Sequence, residues 1–256
     1  MTAAPLLVLI HGAGHDHRVW QAQSAALQQA GLDVLALDLP GHGQTPGPAL
    51  APIEALADWV LAQLPPERPL LLAGHSMGSL IALEAAARAP ARCVGLALLG
   101  TVFPMRVAPA LLDMARKDPD QTHRMINQWS FTLAHQAETD LCERNRQLLA
   151  AQPPASLPVD LAACNSYQGG LEAARQIRCP VLLLCAEQDK MTPLKALPPL
   201  QDALASAPRV EQQILPDSGH SMMSEAPEAV SAALLAFAQP FIQASSSPLP
   251  APSTRQ

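Results

Sequence analysis

The chain has 256 residues, 49% apolar and 15% charged. That exceeds what a minimal core needs and suits one α/β domain with an insertion; its 26 prolines follow no collagen or PxxP period. The formal net charge of -6 comes without a basic stripe, which argues against nucleic acid or an anionic membrane as the main partner, and five cysteines with no CxxC pair indicate neither a disulfide framework nor a zinc site.

Met1-Thr2-Ala3-Ala4-Pro5 carries no basic stretch, and the apolar run Leu6 to Ile10 is too short for a signal or membrane segment. A cytoplasmic protein without membrane insertion is therefore expected. Leu6 to Ile10 reads instead as a buried strand. A helix follows over roughly Val19 to Ala30, stopped by Gly31. Val34 to Leu37 is a second strand, leading into the turn Asp38-Leu39-Pro40-Gly41-His42-Gly43. Ile53 to Leu64 reads as helix, Leu70 to Ala73 as a third strand, Gly78 to Arg88 as helix, and Val94 to Leu99 as a fourth strand. From Phe103 to Ile177 the pattern is helical. Val181 to Cys185 is a fifth strand, Pro198 to Ala205 a helix, Val210 to Leu215 a sixth strand, and Pro227 to Ile242 the last helix.

Continuous apolar strands joined by helices imply a mostly parallel, six-stranded sheet covered on both faces. The segment between the fourth and fifth strands is too long for one crossover. It is expected to form an inserted helical cap over the carboxyl ends of the strands, where sheets of this kind bind ligands. The expected division is a core of residues 1-102 and 178-243, a cap of 103-177, and a disordered tail of 244-256.

Three strand ends carry chemistry. Gly74-His75-Ser76-Met77-Gly78 joins the third strand to an Ala-rich helix, and a serine on so sharp a turn needs small residues two positions to either side. The helix behind it aims its amide end at the serine, favouring negative charge there. Ser76 is the candidate nucleophile. A serine hydroxyl needs a base. Of eight histidines, His220 lies in the short loop after the sixth strand, whereas His75 must point away from the Ser76 side chain and His11 ends the first strand. The base needs an orienting carboxylate. Asp189, after the fifth strand, is preferred to Glu187, which is nearer the strand end, and to Asp217, which is too close to His220 in sequence. Oxyanion donors are expected from the Met77 amide and from the loop His11-Gly12-Ala13-Gly14, with Ala13 preferred and Gly14 the alternative.

With these motifs in order, the chain resembles the α/β-hydrolase superfamily from about Leu6 to Ile242. The resemblance rests on His11-Gly12-Ala13-Gly14, the Asp38 turn, Gly74 to Gly78, Asp189 with Pro193, and Gly219-His220 with Glu225-Ala226-Pro227. It implies the α/β-hydrolase fold and a Ser-His-Asp site that uses no cofactor and no metal. Relatives that carry aspartate at the nucleophile position, the haloalkane dehalogenases and epoxide hydrolases, are set aside by Ser76. Asp38 reads as the structural residue of its turn. The expected activity is a serine hydrolase of the carboxylesterase kind acting on a small-molecule acyl substrate. Thioesterase, lactonase and carbon–carbon hydrolase chemistry, or a ligand receptor on the same scaffold, remain alternatives. Phe103, Met105, Trp129 and Met222 are the candidate lining of an apolar acyl pocket. Oligomeric state is left open.

Overall fold

Every apolar run read as a strand forms one in the computed structural model, which describes residues 4–136 and 139–246. The strands are β1 (Leu6–Ile10), β2 (Asp33–Leu37), β3 (Leu70–His75), β4 (Cys93–Leu99), β5 (Val181–Ala186) and β6 (Val210–Leu215). They pair in the order β2-β1-β3-β4-β5-β6, and every ladder is parallel. The helices are α1 (Gln21–Gln29), α2 (Ile53–Gln63), α3 (Met77–Arg88), α4 (Pro109–Lys117), α5 (Pro119–Ser130), α6 (Leu133–Gln136), α7 (Thr139–Ala150), α8 (Ser156–Ser166), α9 (Gly170–Arg175), α10 (Pro198–Ala203), α11 (Met222–Glu225) and α12 (Pro227–Ser246).

The two-residue period of a strand sorts the core into two layers. Leu6, Val8 and Ile10 of β1 pack with Leu56 and Val60 of α2 and Leu80 and Leu83 of α3. Leu7 and Leu9 of the same strand pack on the other face with Leu27 of α1 and with Val230, Leu234 and Phe237 of α12. Strands β1, β3 and β5 are buried along their whole length, so their sequences are continuously apolar. The edge strand β6 has water on part of one face and carries Glu211, Gln212 and Gln213.

Most boundaries shift by one or two residues, and three of the differences change the character or length of an element. The first helix begins as a 3-10 turn, His17–Trp20, because Asp16 caps it by accepting the Arg18 amide. The helix after β5 ends at Ala203 and tightens into a 3-10 turn, Leu204–Ser206. Helix α12 runs through Ser246, so residues 244–246 of the expected tail are helical; 247–256 lie outside the described residues. Helices α4 to α9 occupy the interval between β4 and β5. Leu111, Ala115, Ile126, Leu157 and Leu161 form a small apolar cluster of their own there, while Ala173, Ala174 and Ile177 at its end join the layer beside the sheet. Among the described residues no helix is long and apolar enough to cross a membrane.

Candidate active site

Ser76 stands between β3 and α3 with φ 54° and ψ -120°, in the left-handed half of backbone space that a residue with a Cβ enters only under constraint. The constraint is close packing. A Cβ on Gly74 would fall on the Gly78 carbonyl, and one on Gly78 would fall on the Ile10 carbonyl. The Ser76 amide donates to Leu99 O (3.0 Å). The Ser79 hydroxyl, one turn into α3, donates to Ser76 O (2.6 Å) and lies 2.8 Å from the Thr101 hydroxyl. Ser79 and Thr101 were not among the sequence candidates, since nothing in the local pattern separates them from core hydroxyls.

His220 reaches Asp189 across the ends of β5 and β6, Nδ1 to Oδ2 at 2.8 Å. Both residues are buried. Asp189 is held from every side. Its Oδ1 accepts the Met191 and Thr192 amides (2.8 Å each), and its Oδ2 also accepts the Thr192 hydroxyl (2.7 Å). Burial alone raises a carboxyl pKa; the facing His220 and the Thr192 hydrogen bonds outweigh it and hold Asp189 well below the usual carboxylate range. The bond fixes His220 as the Nδ1–H tautomer and leaves Nε2 as the acceptor. The rival carboxylates are elsewhere: Glu187 and Asp217 are exposed. His75 donates from Nε2 to the His220 carbonyl (2.9 Å) and lines the same cavity as Ser76. Burial, then the neighbouring His220, push its pKa well below the ordinary value, so it is neutral. The loop of His220 is strapped from outside as well. The buried Glu225 carboxylate accepts the Gly219 amide (2.7 Å) and, from the helical insertion, the Thr132 amide (2.8 Å).

The loop after β1 folds as a turn closed by His15 N to Gly12 O (3.3 Å), with Gly14 at φ +68°. The Gly14 amide donates to Asp160 Oδ2 of α8 (2.8 Å). Of the two alternative donors in this loop, Gly14 is therefore engaged, whereas the Ala13 and Met77 amides make no hydrogen bond among the described residues. His11 pins the loop from below. Its Nδ1 donates to Gly12 O (2.9 Å) and its Nε2 accepts the Leu39 amide (3.0 Å). Burial lowers its pKa to about 3, so it is a neutral structural group. Asp38 accepts the His17 and Gln44 amides (2.7 and 2.8 Å) and holds its own turn. Asp16, His17 and Asp38 bring three ligand-type atoms within 4.8 Å of one another, but Asp16 is paired with Arg18 at 2.6 Å and Asp38 is occupied by those amides.

Ser76, Ala13 and His220 line one cavity of about 80 Å³, closed from the side of the insertion by Ile126, Leu161 and Cys164. Of the side chains expected to line an acyl pocket, Met105 is on its wall. The other three are placed elsewhere. Trp129 is 38% exposed on the outer side of α5. Phe103 packs edge-on against Tyr167, with ring centroids 5.6 Å apart, and covers Gly170. Met222 is fully buried in the layer under α12, and its neighbour Met223 takes the wall position. A wider cavity of about 600 Å³ adjoins the first and shares Val19, Met223 and Ser224 with it.

Comparison with known proteins shows the family and the fold. A model of the alpha/beta hydrolase family matches residues 7–233. The chain is 33% identical over 253 residues to a pimeloyl-[acyl-carrier protein] methyl ester esterase of Aromatoleum aromaticum, covering 88% of this chain and 94% of that one. It is 31% identical over 205 residues to the biotin biosynthesis bifunctional protein BioHC of Cellvibrio japonicus, where the match spans 75% of this chain and 40% of the other. A thermophilic esterase from Thermogutta terrifontis has the same fold, with a TM-score of 0.80 at 23% identity over 94% of this chain and 91% of that chain.

Proposed function

The chain belongs to the alpha/beta hydrolase family as an enzyme acting on ester bonds, and from that premise we propose that it cleaves a small-molecule carboxylic ester through an acyl-enzyme on Ser76. The observation that carries the reading is the shared cavity. A serine on a constrained turn faces the same space as a histidine whose far nitrogen is anchored at 2.8 Å to a buried, ionised aspartate. In the proposed reaction Ser76 Oγ attacks the acyl carbon while His220 Nε2 takes its proton. Asp189 keeps the imidazole in the required tautomer and stabilises the imidazolium. The Met77 and Ala13 amides hold the oxyanion. His220 then protonates the departing alkoxide and activates the water that releases the acid. The helical insertion of 103-177 serves as a cap that keeps bulk water from the acyl-enzyme.

Within this class we favour an ester of a small alcohol and a longer acyl chain. The cavity beside Ser76 is small, and the adjoining one has room for a chain that passes Val19 and Met223. The names of the sequence relatives, methyl ester esterases, point the same way. The test is a panel of p-nitrophenyl and methyl esters, thioesters and lactones assayed with the wild type and Ser76→Ala. We expect ester turnover in the wild type and a loss of at least about 10⁴-fold in the variant, with an unchanged melting temperature. Undiminished turnover in Ser76→Ala overturns the mechanism; a preference for thioesters or lactones overturns the substrate class alone.

A further inference from the structure

The helical insertion holds a buried carboxylate that acts on the turn opposite Ser76. Asp160, in the middle of α8, is 1% exposed. A single oxygen, Oδ2, accepts both the Gly14 amide (2.8 Å) and His42 Nε2 (2.9 Å). The other ring nitrogen of His42 lies 3.1 Å from Pro40 O, so both ring nitrogens face acceptors and the ring fits its hydrogen bonds best as an imidazolium. The Asp160 side chain thus joins three separate parts of the chain: the loop after β1, the turn after β2, and the insertion. Gly14 and Asp160 are 146 residues apart in sequence.

The Ala13–Gly14 peptide is gripped at both ends. Asp160 takes its N–H, and His15 Nδ1 lies 3.1 Å from its carbonyl, the Ala13 oxygen. Gly14 has no Cβ to restrict its backbone, and a glycine visits the left-handed and right-handed regions about equally. The turn therefore has no covalent reason to stay at φ +68°. Its conformation is set by these hydrogen bonds, with Leu157 of α8 packed against Gly14 as well. The Ala13 amide belongs to the next peptide upstream, joined through the Ala13 Cα; Ala13 lines the cavity, and the direction of its amide depends on how the Ala13–Gly14 peptide is held. An oxyanion donor is worth its full effect only when preorganised.

We propose that Asp160 is a positioning residue of the insertion that fixes the Ala13 amide as an oxyanion donor. The inference rests on the esterase reading of the site. Asp160 touches neither substrate nor reacting atoms; it acts through Gly14. Because the carboxylate that sets the donor belongs to the insertion, the oxyanion site is complete only when the insertion is seated on the core.

Three variants test this. Asp160→Asn keeps an oxygen acceptor of the same size. Asp160→Ala removes it. Asp160→Leu with His42→Leu replaces the buried pair by apolar volume and guards against a single variant that fails to fold. Each is assayed for kcat and KM on a p-nitrophenyl ester, for affinity toward a trifluoromethyl ketone whose adduct with Ser76 presents an oxyanion, and for thermal midpoint. The expected result is a fall in kcat of about 10- to 100-fold in Asp160→Ala and in the double variant, with KM changed less than about threefold. Ketone affinity falls in parallel with kcat, and Asp160→Asn recovers most of both. A merely structural role lowers the midpoint but leaves kcat and ketone affinity of the folded fraction at wild-type values, and that outcome overturns the inference while the esterase reading stands. A wild type that neither turns over esters nor reacts with a fluorophosphonate overturns the reading itself, and this inference with it.

Discussion

A serine held at φ 54° is uphill by about 1–3 kcal/mol, and only its surroundings keep it there. Those surroundings are legible in the sequence because they consist of absences: glycine is the residue that lets two backbones meet. Gly78 is the sharpest instance, since any side chain there meets the Ile10 and His11 carbonyls, which are backbone and cannot rotate away. Gly78→Ala should therefore cost about 3 kcal/mol or prevent folding, by forcing β1 and α3 apart. Urea unfolding monitored by circular dichroism measures this, and a wild-type midpoint would contradict the packing. Other residues of the site left no such trace. Thr192 and Asp160 are ordinary residues in ordinary contexts, and their importance lies in partners that the local pattern does not name. Thr192 sits three positions from Asp189 and was within reach of an argument about how a buried carboxylate is satisfied. Asp160 was not.

At the level of the element, the sequence marked the insertion as helical but set neither the bounds of helices α4 to α9 nor their neighbours. Helix α5 is strongly amphipathic, with Ile126, Thr122 and Ser130 turned inward, and on it Trp129 falls beyond the buried arc. A large aromatic in that helix reads as pocket lining from composition alone; the geometry puts Ser130 and Ile126 on the cavity instead. Trp129→Ala is accordingly expected to leave kcat/KM within about twofold, as for a surface substitution. Met105→Ala opens the cavity wall and should change the ratio of kcat/KM between short and long acyl esters by about tenfold. The acyl-chain series on the two variants separates them; equal effects would mean that the wall is misassigned. The same reasoning explains Met222 and Met223. Both adjacent methionines pack in the layer under α12, but only Met223 also reaches the cavity.

Across the whole molecule, the insertion is tied to the core through carboxylates: Asp160, Glu225 and Asp16. Asp16 makes its tie from the end of the loop after β1. Its carboxylate caps the His17–Trp20 turn, pairs with Arg18, and accepts Gln152 of the insertion at 2.6 Å. Burial raises its pKa, but the Arg18 hydrogen bonds and then Gln152 more than reverse this and bring it to about 2. A carboxyl depressed in the folded state contributes stability that is complete above its unfolded value near 4 and disappears as the pH falls through 2. For Asp16 that amounts to about 2 kcal/mol. Unfolding free energies at pH 6 and at pH 2.5 should therefore diverge less in Asp16→Asn than in the wild type, by about two-thirds of that amount, since pH 2.5 still lies above the folded value; equal pH dependence in the two would remove Asp16 from the acid sensitivity of the fold.

The sequence by itself determined the six strands and their alternation with helices, and it put forward Ser76, Asp189 and His220 as candidates from their places at strand ends. These are local properties: a strand buried on both faces must be continuously apolar, and a sharp turn must carry glycine where a Cβ would strike backbone. Tertiary structure alone decided which loop amide is free, which side chains wall the cavity, and how the insertion reaches the turn opposite Ser76. A hydrophobic period says that a face is buried without saying against what. A hydrogen bond between Gly14 and Asp160, closed over 146 residues, exists only once the sheet has brought both to the same end of the molecule.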